Sequence, residues 1–399
     1  MTAATPRTST AKSIKHFRYL APATMQRLFH LEPELLTEHS DPRLLGLSLG
    51  ATLYMPADRT DLAATVTRRM TDGVCSMVLD LEDAVSDQGL GTATQNVVDV
   101  LNELARSGKS GAAQLFVRVR TPEGVGQICD DLSDGVDALS GFVFPKFTAR
   151  DGEAYLRAVT NAGAQLDRKL FCMPVLETGD VVHRPTRDIE LTALRALFEA
   201  HREIVLAVRV GATDLCGMYG IRRDRDLTIY DVNVVASAIG DIVNYLGRAD
   251  GTGHIITGPV WEYFADHERL FRPMLRATPF VEHDAVRFRE HLVSRDLDGL
   301  LRELVLDRTN GMYGKTVIHP SHVAAVHALA VVTHEEYRDA ADVLASTAGG
   351  VRASEYRNKM NEARPHRAWA EHVLRRSQVF GVAAPGVTIV DLLTALAVR

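Results

Sequence analysis

The chain has 399 residues, of which 46 % are apolar and 24 % charged, close to the soluble globular average. That excludes collagen-like, disulfide-scaffolded and wholly disordered chains, and it leaves enough material for a large core without staples. The 45 basic and 51 acidic side chains give a formal charge of −6, which excludes a globally basic nucleic-acid coat but not a local basic pocket.

Four cysteines, Cys75, Cys129, Cys172 and Cys216, are far apart and form no C-x-x-C pair. In a chain of this length they read as reduced, mostly buried thiols. No stretch approaches the ~20 apolar residues that a membrane helix needs. The N-terminus, MTAATPRTSTAKS, has no apolar signal core. A soluble, cytoplasmic protein with no nucleic-acid or membrane partner is expected.

Residues 1–13 are rich in Thr, Ser and Ala without periodicity and read as a disordered tail. Short helical patterns around Met25–Phe29 and Arg43–Leu49 form an N-terminal elaboration. From residue 51, apolar or β-branched runs alternate with helical segments. The runs cover 51–57, 76–84, 114–120, 141–146, 169–178, 203–215, 253–260 and 314–320, eight in all. Strands alternating with helices pair in parallel through right-handed crossovers. Eight such units predict a (β/α)₈ TIM barrel over 14–350, with a doubly wound open sheet as the runner-up.

The interval 261–312 between the last two runs reads as an insertion able to form a lid or subunit contact. Helical patterns follow at 321–332 and 335–348, and Gly349–Gly350 marks a break. A basic helix over 354–380 belongs to a C-terminal helical arm at 351–399. Such an arm packs on a neighbouring subunit or closes its own barrel.

Charged residues gather at the C-terminal ends of the runs: Glu82, Asp83, Arg118, Arg120, Lys146, Glu177, Asp214 and His319. Catalytic sites of α/β barrels sit at that face, where the βα loops converge. Glu177 and Asp214 end adjacent runs, and neighbouring strands lie about 4.8 Å apart, so both carboxylates can share one cation. Few hard oxygen ligands suit Mg²⁺ or Mn²⁺. Alternatively, Asp214 caps the next helix and Glu177 pairs with an arginine such as Arg118.

Arg118 alternates with Val117 and Val119 along its strand, and an arginine inside a barrel needs an anion. That anion is a substrate carboxylate held by the guanidinium fork, or Glu82 or Asp83. LDLEDAV at 79–85 brings three acids together, able to hold metal waters or orient Arg118. Lys146 can assist an anionic intermediate; nearby carboxylates keep it protonated and disfavour a Schiff base. His319 reads as a helix-start histidine rather than a base. No dinucleotide fingerprint and no G-x-S-x-G elbow is present.

LDLEDAV, VRV, PK, the Glu of VLET, GATDL, GPV and GKTVIHP occur in an order that resembles the citrate lyase β-subunit and malyl-CoA lyase family, related to the HpcH-type aldolases. The resemblance covers roughly residues 50–370. HFRYL (16–20) and GATLYMP (50–56) further resemble a subgroup of C–C-bond-lyase-like proteins associated with tellurium-resistance gene clusters.

The resemblance implies a TIM barrel in trimers or hexamers, with Mg²⁺ on Glu177 and Asp214. It implies that Arg118 grips a carboxylate or enolate, and that Glu82 and Asp83 support the metal waters or the arginine. It also implies C–C cleavage or formation beside a carbonyl, on a hydroxy acid, keto acid or acyl-CoA thioester. Two positions depart from the family's pattern: Thr257 and Asn361 stand where an Asp is common. Asn cannot act as a carboxylate base. A catalytically altered metabolite-binding barrel of a stress system and an acyl-CoA thioester hydrolase are the alternatives.

Overall fold

The computed structural model describes residues 12–264, 297–346 and 350–397. Each of the eight runs coincides wholly or in part with one barrel strand. These are β1 Ala51–Pro56, β2 Ser76–Asp80, β3 Gln114–Arg118, β4 Leu139–Phe144, β5 Phe171–Leu176, β6 Val208–Val210, β7 Ile256–Thr257 and β8 Lys315–Val317. They pair in parallel in the order β7-β6-β5-β4-β3-β2-β1-β8. A parallel bridge between Gly258 and Lys315 joins the two ends of the sheet. There the Gly258 N–H donates to the Gly314 carbonyl (3.2 Å) and the Thr316 N–H to the Gly258 carbonyl (3.1 Å).

Strands β2, β4 and β5 are buried at every position, as parallel strands under a helical layer must be. The covering helices are α1 Leu62–Thr71, α2 Leu90–Arg106, α3 Pro122–Asp131, α4 Ala149–Leu166, α5 Arg184–Ala200, α6 Asn233–Leu246, α7 Leu297–Thr309 and α8 Ser321–Ala330. Local chemistry starts several of them. Pro122 opens α3 with its φ already set, and the Thr148 hydroxyl accepts from the Asp151 N–H at the start of α4.

Inside the barrel, alternate residues meet across the lumen. Ser76 hydrogen-bonds with Thr52 at 3.2 Å, and Tyr54 faces both the Arg118 and the Arg209 guanidinium. Arg209 also reaches Thr52, Thr316 and Met173.

Three features differ from the sequence-based expectation, and a fourth decides between two alternatives. Residues 1–11 of the expected tail lie outside the described residues, but Lys12 and Ser13 belong to the fold. The Lys12 ammonium is buried and donates to the Leu139 carbonyl (2.8 Å) and the Ser140 hydroxyl (2.6 Å). Ser13–Ile14 pairs with Leu36–Thr37.

The expected insertion at 261–312 includes α7, which is the barrel's own seventh helix. Its middle, 265–296, lies outside the described residues.

The expected basic helix over 354–380 begins only at Arg367. Before it, Val351–Ala353 and Met360–Glu362 form an antiparallel hairpin. Pro365 cannot continue a helix, and Arg357 takes a left-handed φ of 56° in the turn.

The C-terminal segment folds back onto its own chain. Val382–Ala383 pairs with Phe29–Leu31, and α9 His334–Ala345 packs with α10 Arg367–Phe380 around Val332, Val343 and Val373.

Candidate active site

The strand ends β2 to β6 bring five of the six expected site residues into one chain of contacts. Arg118, the last residue of β3, lies beside Asp80, the last of β2, in parallel register. Its Nε and Nη2 donate to Asp80 Oδ1 and Oδ2, each at 2.6 Å, and its Nη1 lies 3.0 Å from Glu82 Oε2. Burial opposes the guanidinium's charge, but the Asp80 bonds outweigh it and hold the group above its ordinary pKa. The partner expected for Arg118 was a substrate, Glu82 or Asp83. The structure gives it Glu82 and adds Asp80, because Asp80 shares its register, while Asp83 lies on the exposed loop.

Lys146 follows Pro145 with a φ of 48°. That conformation, costing of order 1–2 kcal/mol for a residue with a Cβ, turns one residue toward three acids. Its backbone N–H donates to Glu177 Oε1 at 2.8 Å. Its ammonium donates to Glu82 Oε1 at 2.6 Å and to Asp83 Oδ1 at 3.4 Å. The Glu82 bond raises the amine above its usual range, so it stays charged. This agrees with the sequence-based argument against a Schiff base.

Glu177 follows β5 and is buried. Gly211, just after β6, makes room for it: a Cβ there would sit 1.9 Å from Glu177 Oε2. Asp214 lies in the first turn of the short helix Ala212–Gly217 and is half-buried. Burial, and then the Asp214 carboxylate, push the Glu177 carboxyl up to about 8. The bland alternative is not realised. Asp214 sits inside the helix rather than capping it, and among the described residues no salt bridge reaches Glu177 or Asp214.

This donor set fits a hard divalent cation. Two carboxylates from adjacent strand ends repel each other, and a cation between them would offset that repulsion. Among the described residues, no group of three or more His, Cys, Asp or Glu converges on a metal position. Any further ligands would come from water or substrate.

Beside Lys146 a cleft of about 1190 Å³ opens between the loops after β2, β3 and β4. Glu82, Asp83, Arg120, Arg150 and Tyr155 are among its walls. The four cysteines are free and buried, as expected. His319 stacks on Phe264 at 4.6 Å, and its Nδ1 hydrogen-bonds with the Ser321 hydroxyl (2.7 Å) at the start of α8. That is the helix-start role read from the sequence.

The two departures sit differently. Thr257 is buried on β7, in register with Arg209. Asn361 is buried in the hairpin and donates to Asp339 Oδ1 at 2.8 Å.

Sequence reasoning passed over Tyr54 and Arg209, and Asp80 was read only as one of three LDLEDAV acids able to hold metal waters or orient Arg118. The signal for Arg209 was a lone charge in the middle of the apolar run EIVLAVRV.

An α/β barrel whose acids and arginine converge at the C-terminal mouth is the general plan of a barrel enzyme. The chain belongs to the family of C–C bond lyases of the TIM-barrel fold, whose model matches residues 43–382. Among solved structures, a citrate lyase from Burkholderia xenovorans LB400 is similar with a TM-score of 0.60 at 16 % identity, over 88 % of this chain and 96 % of that one. A Haloferax volcanii malate synthase, in a magnesium and glyoxylate complex, has a TM-score of 0.50 at 14 % identity, over 72 % and 75 %. The Mycobacterium tuberculosis protein CitE, with magnesium, acetoacetate and coenzyme A, has 0.49 at 19 % identity, over 82 % and 97 %. No curated protein matches the chain. No helix among the described residues is long and apolar enough to cross a membrane.

Proposed function

We propose that the protein is a Mg²⁺-dependent carbon–carbon lyase or aldolase (with Mn²⁺ as a possible substitute), acting on a hydroxy acid, a keto acid or its CoA thioester through an enolate. The observation that carries this reading is the Glu177–Asp214 pair, with one carboxylate buried against Gly211 and raised by the other. Those two residues would hold the cation, which when bound supplies positive charge beside a substrate carbonyl.

The chain's own residues do the rest. Arg118, fixed by Asp80, presents a charge that does not need to reorganise as an enolate forms. Glu82 holds Arg118 on one side and Lys146 on the other, so both cations stay oriented toward the mouth. Asp83 offers the Lys146 ammonium a second carboxylate at 3.4 Å. The cleft beside Lys146 has room for a thioester's carrier group. We also propose a cytoplasmic homo-oligomer, a trimer or hexamer, with the small-molecule acid as its ligand.

The test is turnover of pyruvate-, glyoxylate- and oxaloacetate-derived hydroxy acids and their thioesters, with and without Mg²⁺. Metal-dependent cleavage lost in Glu177→Gln and Asp214→Asn supports the assignment. Metal affinity unchanged in both variants removes it.

A second reading is a barrel that binds a metabolite without cleaving it, as a component of a stress-response system of the tellurium-resistance type. Asn361 favours it: the residue at the expected acid position is an amide committed to Asp339. Binding with no turnover of any of these acids would select it. Release of CoA and free acid without C–C cleavage would select a thioester hydrolase.

A further inference from the structure

Arg209 is a buried cation without an anion. Only 1 % of it is exposed, and among the described residues no carboxylate pairs with it. Its partners are neutral. Nη2 donates to the Thr316 hydroxyl at 2.5 Å, Nη1 lies 3.4 Å from the Thr52 hydroxyl and 3.8 Å from Met173 Sδ, and Nε is buried without a partner. Its guanidinium carbon lies 5.4 Å from the centre of the Tyr54 ring. Burial pulls the guanidinium below its ordinary pKa, which shows the cost of leaving its charge uncompensated.

Among the described residues, the two cations already placed at the strand ends have their acids. Arg118 is spent on Asp80 and Glu82, and Lys146 on Glu82 and Asp83. Arg209, by contrast, has no acid among the described residues, with one unpartnered N–H and two threonine hydroxyls around it. Tyr54 and Thr316 beside it are only half-buried.

We propose that Arg209, with Thr52 and Thr316, is the carboxylate-binding site of the barrel interior, and that its ligand is the carboxylate of a small keto or hydroxy acid. Arg118 is then left to face the enolate oxygen. This division rests on the lyase reading; the carboxylate site itself does not.

The experiment is calorimetric titration of the full-length chain with acetate and with pyruvate, without metal and with Mg²⁺. The proteins are wild type, Arg209→Met, Arg209→Lys and Thr316→Val. Metal-free binding of acetate and pyruvate to the wild type is expected. Arg209→Met should weaken both at least about tenfold, the loss of one charge-assisted bond.

Arg209→Lys keeps the charge but loses the fork and should weaken both about threefold or more, as should Thr316→Val. Unliganded Arg209→Met should keep or gain thermal stability, since an uncompensated buried cation is removed. Undiminished binding in Arg209→Met, or no acetate binding to the wild type, overturns the proposal. If Arg209→Met does not fold, unchanged binding in both Arg209→Lys and Thr316→Val overturns it. The Mg²⁺ arm separates the two readings. If Mg²⁺ fails to tighten pyruvate binding in the wild type, the lyase reading falls while the acetate result stands.

Discussion

Arg118 and Asp80 meet through two parallel bonds of 2.6 Å, at the ends of adjacent strands, with both side chains largely out of water. A pair in that geometry resists reorientation more than it adds stability, because desolvation offsets much of the attraction. Its worth lies in fixing where a positive charge stands.

Asp80→Ala tests this. Removing one partner of a buried pair leaves the other uncompensated, at a cost of about 3–5 kcal/mol. The low end is expected here because Glu82 remains beside Arg118. Urea unfolding should show the loss, and Asp80→Leu combined with Arg118→Met should recover most of it.

Lys146 should not form a carbonyl adduct. Its ammonium is held charged by Glu82, so pyruvate followed by borohydride should leave the protein's mass unchanged. A reduced adduct on Lys146 in peptide mass spectrometry would contradict the arrangement.

Gly211→Ala should separate fold from site. The backbone φ of −93° suits alanine, but the added methyl would overlap Glu177 Oε2. A cost of about 1–3 kcal/mol from overpacking is expected, together with loss of Mn²⁺ affinity. Calorimetric titration with Mn²⁺ checks the second part independently of the first.

Lys12 should give the fold a pH dependence. Burial lowers its pKa from 10.5 to about 7, so between those values the unfolded chain holds the proton more tightly. Wild-type stability should therefore rise between pH 7 and 10 relative to Lys12→Met, by more than about 1.4 kcal/mol, the equivalent of one unit. Below pH 7 the cost of the buried charge is fully present and the difference should be flat. Chemical unfolding of both proteins at pH 6, 8 and 10 measures it.

The barrel was legible because parallel strands buried on both faces leave apolar runs, and all eight runs coincide wholly or in part with a strand. Strand lengths were not: only Val208–Val210 of the long run 203–215 is strand, since Gly211 turns the chain into a helix that carries Asp214. The helix read over 354–380 failed at Pro365, where basic composition outweighed a breaker in the reading.

In the site, the ends of runs pointed to Glu82, Lys146 and Glu177, because charge there interrupts an apolar pattern. Glu82 was read as a partner of Arg118, but the bidentate pairing with Asp80 was not legible. Pairing depends on register between strands about forty residues apart, and a single sequence does not encode register visibly. Arg209 was hidden for the opposite reason: it lies within its run, where the surrounding valines read as plain core.

The ring of strands is uneven. β1 to β5 are five or six residues long, while β6 and β8 have three residues and β7 only two. Where β7 meets β8 the ladder is short, and buried ion pairs behind it tie β8 to α7. The buried Lys315 ammonium binds Glu303 at 2.9 Å and Asp307 at 2.7 Å, both from α7, and Glu303 in turn holds Arg223. One flank of the barrel is thus sewn by peptide hydrogen bonds and the other is riveted by ions. Amide exchange should start along the riveted flank, at 256–258 and 315–317, and come last in β2 and β3. Arg209 and Thr316 stand on that flank, so the wall that breathes first is the one lined by the unpaired guanidinium.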